Sequence, residues 1–600
     1  MYSKKIGLFL CLFIVYVFSG TLVIPTINNN YKDPNLITYF NADEAYIMDI
    51  LWKYYSGETR DSYQGAFDYG LEFHYLTDIS RHVLSCFINI TPGTFILILR
   101  WLHFIGWLLS FWALLCLIRY HFDDFWQPMA AMFLLAVRPA FAYFTNNAKP
   151  EPLVLFFIIL GLNYTLRIIQ SPIWKNILCA IIFTSIAYLI KIEGLFLLPA
   201  IVVALYFSDG KVYKSIAQLS WLTPIIIGVV LLVISFAPII FYKRISTGHT
   251  FYEEYGLITS FIKLKIPLYI MLVAIGFIFS PLLVYFMIPY KMLRNHLAKL
   301  SCCGLLIGGL FILITLVIGF RWVLNPSYFI STLVGYGSIF FAHDSALQNN
   351  SFNLVLFVKN FILKVRELDV IIFILFLLYL IVEIVSLFKS KRLSVPLYKR
   401  LVLIMFFIPC LILLFSSGRM VGLHMLPFFV VMSILSFQGM KLLVRSSNLK
   451  RSYCYVLNGL FVILILGSIG FNGWHVIKSR MYEFHRDQDI VFDIQKWFQE
   501  NIPNQAKIVS DHLTRVYLAS EYKSVKFLDY ADPLKNMKTY IKEFQPTYVY
   551  YNEGVRDEQI PLLNKIITDY KVVLIKAFEN SNDSYQRYPK SRFVIYKILY

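Results

Sequence analysis

The stretch FILILRWLHFIGWLLSFWALLCLI, residues 95–118, decides the fold. It contains no acid, and Arg100 is its one fully charged side chain. A membrane-crossing helix needs about 20 mostly apolar residues, and cytoplasmic loops collect Lys and Arg. This run is long enough, and Arg119 follows it at once. Comparable runs lie near 6–24, 126–143, 153–169, 174–190, 193–207, 219–242, 267–289, 302–320, 369–388, 401–416, 421–440 and 454–472. By length the chain therefore predicts about 13 spans, the short pair 174–190 and 193–207 being the weakest. Composition agrees: the 600 residues are 58% hydrophobic and 15% charged, with a mean hydropathy of +0.63. An ordinary soluble domain carries about 25% charged residues, so a soluble chain is excluded, as are disordered and collagen-like ones.

The formal charge of +19 would suggest nucleic acid in a soluble protein. Here it argues orientation. With Lys4 and Lys5 inside, the alternate loops hold Arg119, Lys175, Lys211 with Lys214, and Lys291 with Arg294 and Lys299. Lys389, Lys391, Arg392, Lys399 and Arg400 follow, then Lys441, Arg445, Lys450 and Arg451. All fall on the side predicted to be cytoplasmic. The first run is read as a retained anchor, because no small-x-small cleavage site follows its apolar core. The loop 25–93, the segments 243–266 and 321–368, and the tail 474–600 are then predicted to lie outside the cytoplasm. The eight cysteines show no C-x-x-C spacing or disulfide framework.

The tail reads as a separate soluble α/β domain, 474–600, after a membrane domain, 1–473. An amphipathic helix is predicted over Asp487 to Asn501, with further helical stretches near 532–543 and 556–569. Strands are predicted over Lys507 to Ser510, Ser524 to Leu528, Thr547 to Tyr551, Val572 to Phe578 and Arg592 to Ile598. Alternation of this kind suggests a layered α/β unit.

Three places on the predicted outer side carry chemistry. Asn41-Ala42-Asp43-Glu44-Ala45 opens an amphipathic segment suited to the membrane surface. Acids in a first helical turn also simply complement the helix dipole, and that plain reading stays open. Asn146 to Pro152 forms a tight turn in which Glu151 stands between two prolines, which restrict the backbone on both sides. Its plain reading is an exposed interhelical turn with a solvated Lys149 and Glu151. Ser416 to Pro427 carries Arg419 and His424 at the start of a span. Ionisable groups at such depth suit an anionic lipid headgroup, although snorkelling accounts equally for Arg419 and a hydrogen bond within the bundle for His424. Together these are the parts needed to take an anionic lipid-linked sugar and pass the sugar to an acceptor outside. A carboxylate accepts the acceptor's proton while cations stabilise the departing phosphate.

These residues resemble the GT-C superfamily of membrane glycosyltransferases, in the branch of protein O-mannosyltransferases and the lipid A aminoarabinose transferase. The carriers are Asp43-Glu44, the stretch from Tyr63-Gln64-Gly65 through Tyr69-Gly70 to Tyr75-Leu76, Arg100-Trp101-Leu102, Ala148 to Pro152, and Ala187 to Lys191 running on to Leu198-Pro199. The family often has Arg-Tyr and two prolines at the phosphate-binding span, where this chain has His424-Met425 and only Pro427. The resemblance implies a GT-C helical membrane domain with an extracytoplasmic C-terminal domain, a polyprenyl-phosphate sugar donor and inversion at the sugar carbon. It implies Asp43 as general base with Glu44 in support, and Glu151 orienting a sugar. Arg419, His424, Lys149 and Lys191 become lipid-phosphate candidates, and Tyr69, His74 and Arg100 candidates for the substrate pocket. The resemblance implies no required metal or other cofactor, a divalent metal being left open but not indicated by any dense acidic or His cluster. The implied partners are the lipid-linked donor, an extracytoplasmic glycan, lipid or protein acceptor, and the bilayer, not nucleic acid. A bacterial inner membrane is the expected location, with the endoplasmic reticulum as the alternative. A transporter or lipid-linked-sugar flippase is the rival function, but transporters place ionisable residues near the midplane within repeats, and no repeat is evident here.

Overall fold

The computed structural model describes residues 2–29, 83–87, 90–121, 126–138, 149–208, 291–318, 358, 361–362, 365–366, 369–389, 398–407, 426–446, 451–484, 490–503, 505–510, 524–527, 542–552, 571–579 and 592–599. Helix α1 spans Tyr2–Ile27, α2 Pro92–His121, α3 Trp126–Ala136, α4 Glu151–Gln170 and α5 Trp174–Ile190. A 3-10 turn, Ile192–Phe196, leads into α6, Leu197–Phe207. Then come α7 Lys291–Ile318, α8 Val370–Lys389, a helical stretch 398–407, α9 Leu426–Ser446, α10 Arg451–Phe484 and α11 Val491–Asn501. Among the described residues, Ile6–Ile27, Gly93–His121, Glu151–Gln170 and Asn458–Lys478 are long and apolar enough to cross a membrane, and shorter apolar helices accompany them. The expected spans near 219–242 and 267–289 lie outside the described residues, as do the predicted tail helices near 556–569 and 532–543, apart from residues 542–543, which are helical.

Close helix approach holds the first half of the bundle together. A Cβ on Gly106 of α2 would stand 3.3 Å from the Cα of Leu153 in α4, so the two backbones meet at the missing side chain. One turn further along α2, Ser110 Oγ donates to the Gly106 carbonyl at 2.9 Å and lies 3.2 Å from the carbonyl of Pro152. Thr315 of α7 donates to Ser185 of α5 at 3.1 Å. Such small and hydroxylated residues are the ones that let apolar helices pack without water.

The second half is pinned by Asp369, the residue before α8. It adopts the left-handed region, φ 74°. Its Oδ1 accepts the backbone N–H groups of Ile371 and Ile372 at 3.0 and 3.2 Å, which caps the helix. Its Oδ2 takes Ser468 Oγ and Asn472 Nδ2 of α10, each at 2.6 Å, and Arg138 Nη1 at 3.3 Å. The Arg138 guanidinium also lies 4.3 Å over the ring of Phe429 in α9. One carboxylate thus joins the end of α3 to α8 and α10, with α9 against its partner. Asp369→Asn is expected to cost about 2–3 kcal/mol, because an amide keeps the cap but turns an NH2 toward three donors. An SDS unfolding titration measures it, and a midpoint equal to the native one removes the pin from the stability of the bundle.

The C-terminal strands are β1 Lys507–Ser510, β2 Ser524–Phe527, β3 Tyr548–Asn552, β4 Lys571–Glu579 and β5 Arg592–Leu599. They form one sheet in the order β2-β1-β3-β5-β4. The pairs β1–β2 and β1–β3 are parallel, whereas β5 runs antiparallel to β3 and β4. Val491, Ile494 and Phe498 of α11 pack with Ile508, Tyr550, Phe593 and Ile595 of the sheet in a core separate from that of the apolar helices. Each predicted strand coincides with an observed one to within about one residue, within ordinary boundary disagreement.

Candidate active site

The structure brings Lys149, Glu151 and Lys191 together and adds Glu193. The four are buried, with 6%, 6%, 7% and 2% of their surface exposed, so the expected alternative of an exposed, solvated turn does not hold. Glu151 opens α4. Pro150 already has helical angles, φ −73° and ψ −12°, and its carbonyl accepts the Val154 N–H at 3.0 Å. Pro152 in the first turn needs no hydrogen-bond partner for its nitrogen. The prolines therefore start the helix abruptly, with a carboxylate at its positive end.

Lys191 ends α5 in an extended conformation, φ −160° and ψ 148°. The following 3-10 turn folds back so tightly that a Cβ on Gly194 would collide with the backbone nitrogen of Tyr188. This close approach sets where Lys191 and Glu193 point. Gly194→Ala is expected to destabilise the protein by about 1–3 kcal/mol through overpacking, read as a lower thermal midpoint. An alanine protein that melts with the native one would show that the turn is not held by this contact.

Lys191 Nζ donates to Glu151 Oε1 at 2.6 Å and lies 3.6 Å from Glu193 Oε1. Burial works against the ammonium, but the carboxylates of Glu151 and Glu193 outweigh it and raise its pKa above the ordinary lysine value. Lys149 acts on the same Glu151 carboxylate. Two cations thus face two carboxylates. Glu151 Oε2 is buried without a hydrogen-bond partner among the described residues. A buried acceptor of that kind costs stability unless a ligand, water or other donor meets it, so it can receive an O–H or N–H from a ligand.

The turn also reaches α9. Phe196 lies 5.3 Å from Phe428, ring centre to ring centre, and Phe428 adjoins the Phe429 that receives Arg138. The start of α9 follows Arg419 and His424 directly in sequence. The acidic turn and the pinned end of α9 therefore meet at one end of the bundle.

Arg100 sits elsewhere, at the end of α1. It is 2% exposed and donates to the carbonyls of Ile27 and Asn29 at 3.0 and 2.8 Å, which satisfies the last carbonyl of that helix and one just beyond its end. Asp43, Glu44, Tyr69, His74, Arg419 and His424 lie outside the described residues. Among the described residues, no three His, Cys, Asp or Glu side chains gather in a group that could hold a metal ion. Sequence reasoning missed Glu193, Arg138 and Asp369. The available signals were a Lys-x-Glu at the break between two short spans, an arginine late in an apolar run, and an aspartate at a helix start.

Residues 81–242 match the family described as dolichyl-phosphate-mannose-protein mannosyltransferase, and the resemblance to the O-mannosyltransferase branch is borne out over that segment. Arg100, Lys149, Glu151, Lys191 and Glu193 all fall within it. The crystal structure of ArnT from Cupriavidus metallidurans bound to undecaprenyl phosphate superposes with a TM-score of 0.40 at 10% sequence identity, covering 98% of this chain and 97% of that one. No curated protein matches the chain.

Proposed function

We propose that the protein is an integral-membrane, GT-C-type glycosyltransferase that moves a sugar from a polyprenyl-phosphate donor to an acceptor outside the cytoplasm, with inversion at the sugar carbon. The observation that carries the reading is the buried Glu151–Lys191 pair, with its open carboxylate oxygen, inside the segment that matches the mannosyltransferase family. Buried ionisable groups at the end of an apolar helix bundle are costly, which makes them functional candidates. The basic loops put that end outside, where the tail 474–600 would form an extracytoplasmic domain beside it.

In this mechanism Asp43 takes the proton of the acceptor hydroxyl as its oxygen attacks the anomeric carbon of the donor, with Glu44 supporting it. The bond from that carbon to the phosphate oxygen breaks, and the lipid phosphate leaves with the electron pair. Arg419, His424 and Lys149 stabilise its charge. Glu151 accepts a hydrogen bond from a sugar hydroxyl and so orients the ring. Tyr69 and His74 line the pocket, and Arg100 holds the end of α1 from which the chain runs to Asp43.

The test uses the purified protein in vesicles with radiolabelled polyprenyl-phosphate sugars and a membrane extract as the source of acceptor. Transfer of label from at least one donor is expected. Transport of the intact lipid-linked sugar across the vesicle, with no transfer from any donor, would favour a flippase instead.

A further inference from the structure

We infer that Glu193 is a positioning residue, which with Glu151 clamps Lys191 between two carboxylates and so keeps that lysine off the lipid phosphate. The inference rests on the proposed function for its ligand but on the geometry for its logic. Lys191 Nζ lies 2.6 Å from one carboxylate oxygen and 3.6 Å from the other, and all three side chains are buried. The lysine is therefore committed to carboxylates from two elements, the start of α4 and the turn after α5. That turn cannot swing away freely, because Gly194 lies against the backbone of Ala187 and Tyr188 and Phe196 lies against Phe428.

The charges explain why a second acid is useful. Counted over the described residues, Lys149, Lys191 and Glu151 alone would carry one net positive charge in a place largely withdrawn from water. Such a cluster attracts a phosphate, and a lipid phosphate bound there after transfer would be slow to leave. Glu193 brings the sum to zero. Lys191 then fixes Glu151 Oε1, and Glu151 Oε2 is left as the open acceptor. Phosphate recognition falls to cations outside this clamp. Specificity here comes from a repulsive element as much as from an attractive one.

Two measurements test this, one independent of any substrate. The first is binding of bare polyprenyl phosphate to the native protein and to Glu193→Gln, Lys191→Met and Lys191→Arg, all as full chains in nanodiscs. Glu193→Gln is expected to bind about tenfold tighter, and Lys191→Met within about twofold of the native protein, because Glu151 then takes up a proton and the sum stays at zero. Unchanged or weaker binding by Glu193→Gln, or tenfold weaker binding by Lys191→Met, overturns the inference and makes Lys191 a phosphate ligand. The second is labelling by a hydrophobic carbodiimide, which modifies protonated buried carboxyls, read by peptide mass spectrometry. Glu151 is expected to stay unlabelled in the native protein and in Lys191→Arg, and to be labelled in Lys191→Met. Labelling of Glu151 in the native protein, or none in Lys191→Met, shows that Lys191 does not hold its charge. If the native protein binds no polyprenyl phosphate, the proposed function fails, while the labelling still decides whether Lys191 holds the charge of Glu151 and so overturns the clamp where it does not.

Discussion

Asp43→Asn is expected to lower sugar transfer by about 10²–10⁴-fold, the range ordinarily contributed by a positioned general base. The substitution separates the two readings of the acidic pair Asp43-Glu44. If the acids only complement the dipole of a helix start, each contributes about 0.3–1 kcal/mol at the surface. Asparagine is as good a helix-capping residue as aspartate, so a purely structural role predicts little change in either stability or rate. An amide has the same shape but cannot take the acceptor's proton, so a catalytic role predicts a large fall in rate with the melting midpoint retained. Glu44→Gln should fall less, because its proposed part is supporting. Initial rates with labelled donor in vesicles, beside thermal midpoints of the same preparations, give the comparison. An Asp43→Asn protein within about threefold of the native rate would exclude Asp43 as the base. The effect should be sensitive to Arg100 as well. That residue binds the carbonyls of Ile27 and Asn29, and Asn29 stands fourteen positions before Asp43.

Apolar length was legible because it is a local property. The expected span near 153–169 is α4, and the run near 95–118 is the centre of α2. Where the structure differs, the helices run longer: α7 begins at Lys291 and α10 continues to Phe484, beyond the expected spans near 302–320 and 454–472. Hydropathy marks only the part of a helix that suits hydrocarbon, whereas backbone hydrogen bonding continues past it. At the expected span near 126–143 the described helix stops at Ala136, and its neighbour Arg138 turns to Asp369. The strands were legible for a similar reason, since alternation over a few residues reports one buried face. Polar pairing is different. Asp369 meets Ser468 and Asn472 across 99 and 103 positions, and nothing near Asp369 in sequence announces them. Glu151 drew notice through its two prolines, but its burial depends on Lys191, forty positions later. Glu193 went unnoticed because an acid after a lysine at the end of a short span looks like an ordinary exposed loop. It is buried where the chain folds back at Gly194, a contact that the local sequence does not announce.

That buried pair makes the second large prediction. Lys191→Met is expected to destabilise the protein by about 3–5 kcal/mol, because it leaves two carboxylates, Glu151 and Glu193, where water cannot solvate them. Glu151→Gln alone should cost about 1–3 kcal/mol, since Lys191 keeps Glu193 and an amide oxygen can still accept its bond. In the double variant one buried charge of each sign is gone from the contact. The loss in the double variant should then fall short of the sum of the two single losses by about 0.5–3 kcal/mol, the coupling usual for residues in direct contact. Transfer should behave otherwise. If Glu151 orients a sugar through its free oxygen, every variant without that carboxylate should remain about 10²-fold slow even where stability returns, because a misplaced reactant is not repaired by a neutral neighbour. The cycle is read by SDS unfolding for stability and by initial rates for transfer, on the same four proteins. Recovery of transfer in step with stability would make the pair architectural and move sugar recognition to other residues. Recovery of stability alone would assign the carboxylate of Glu151 to the substrate.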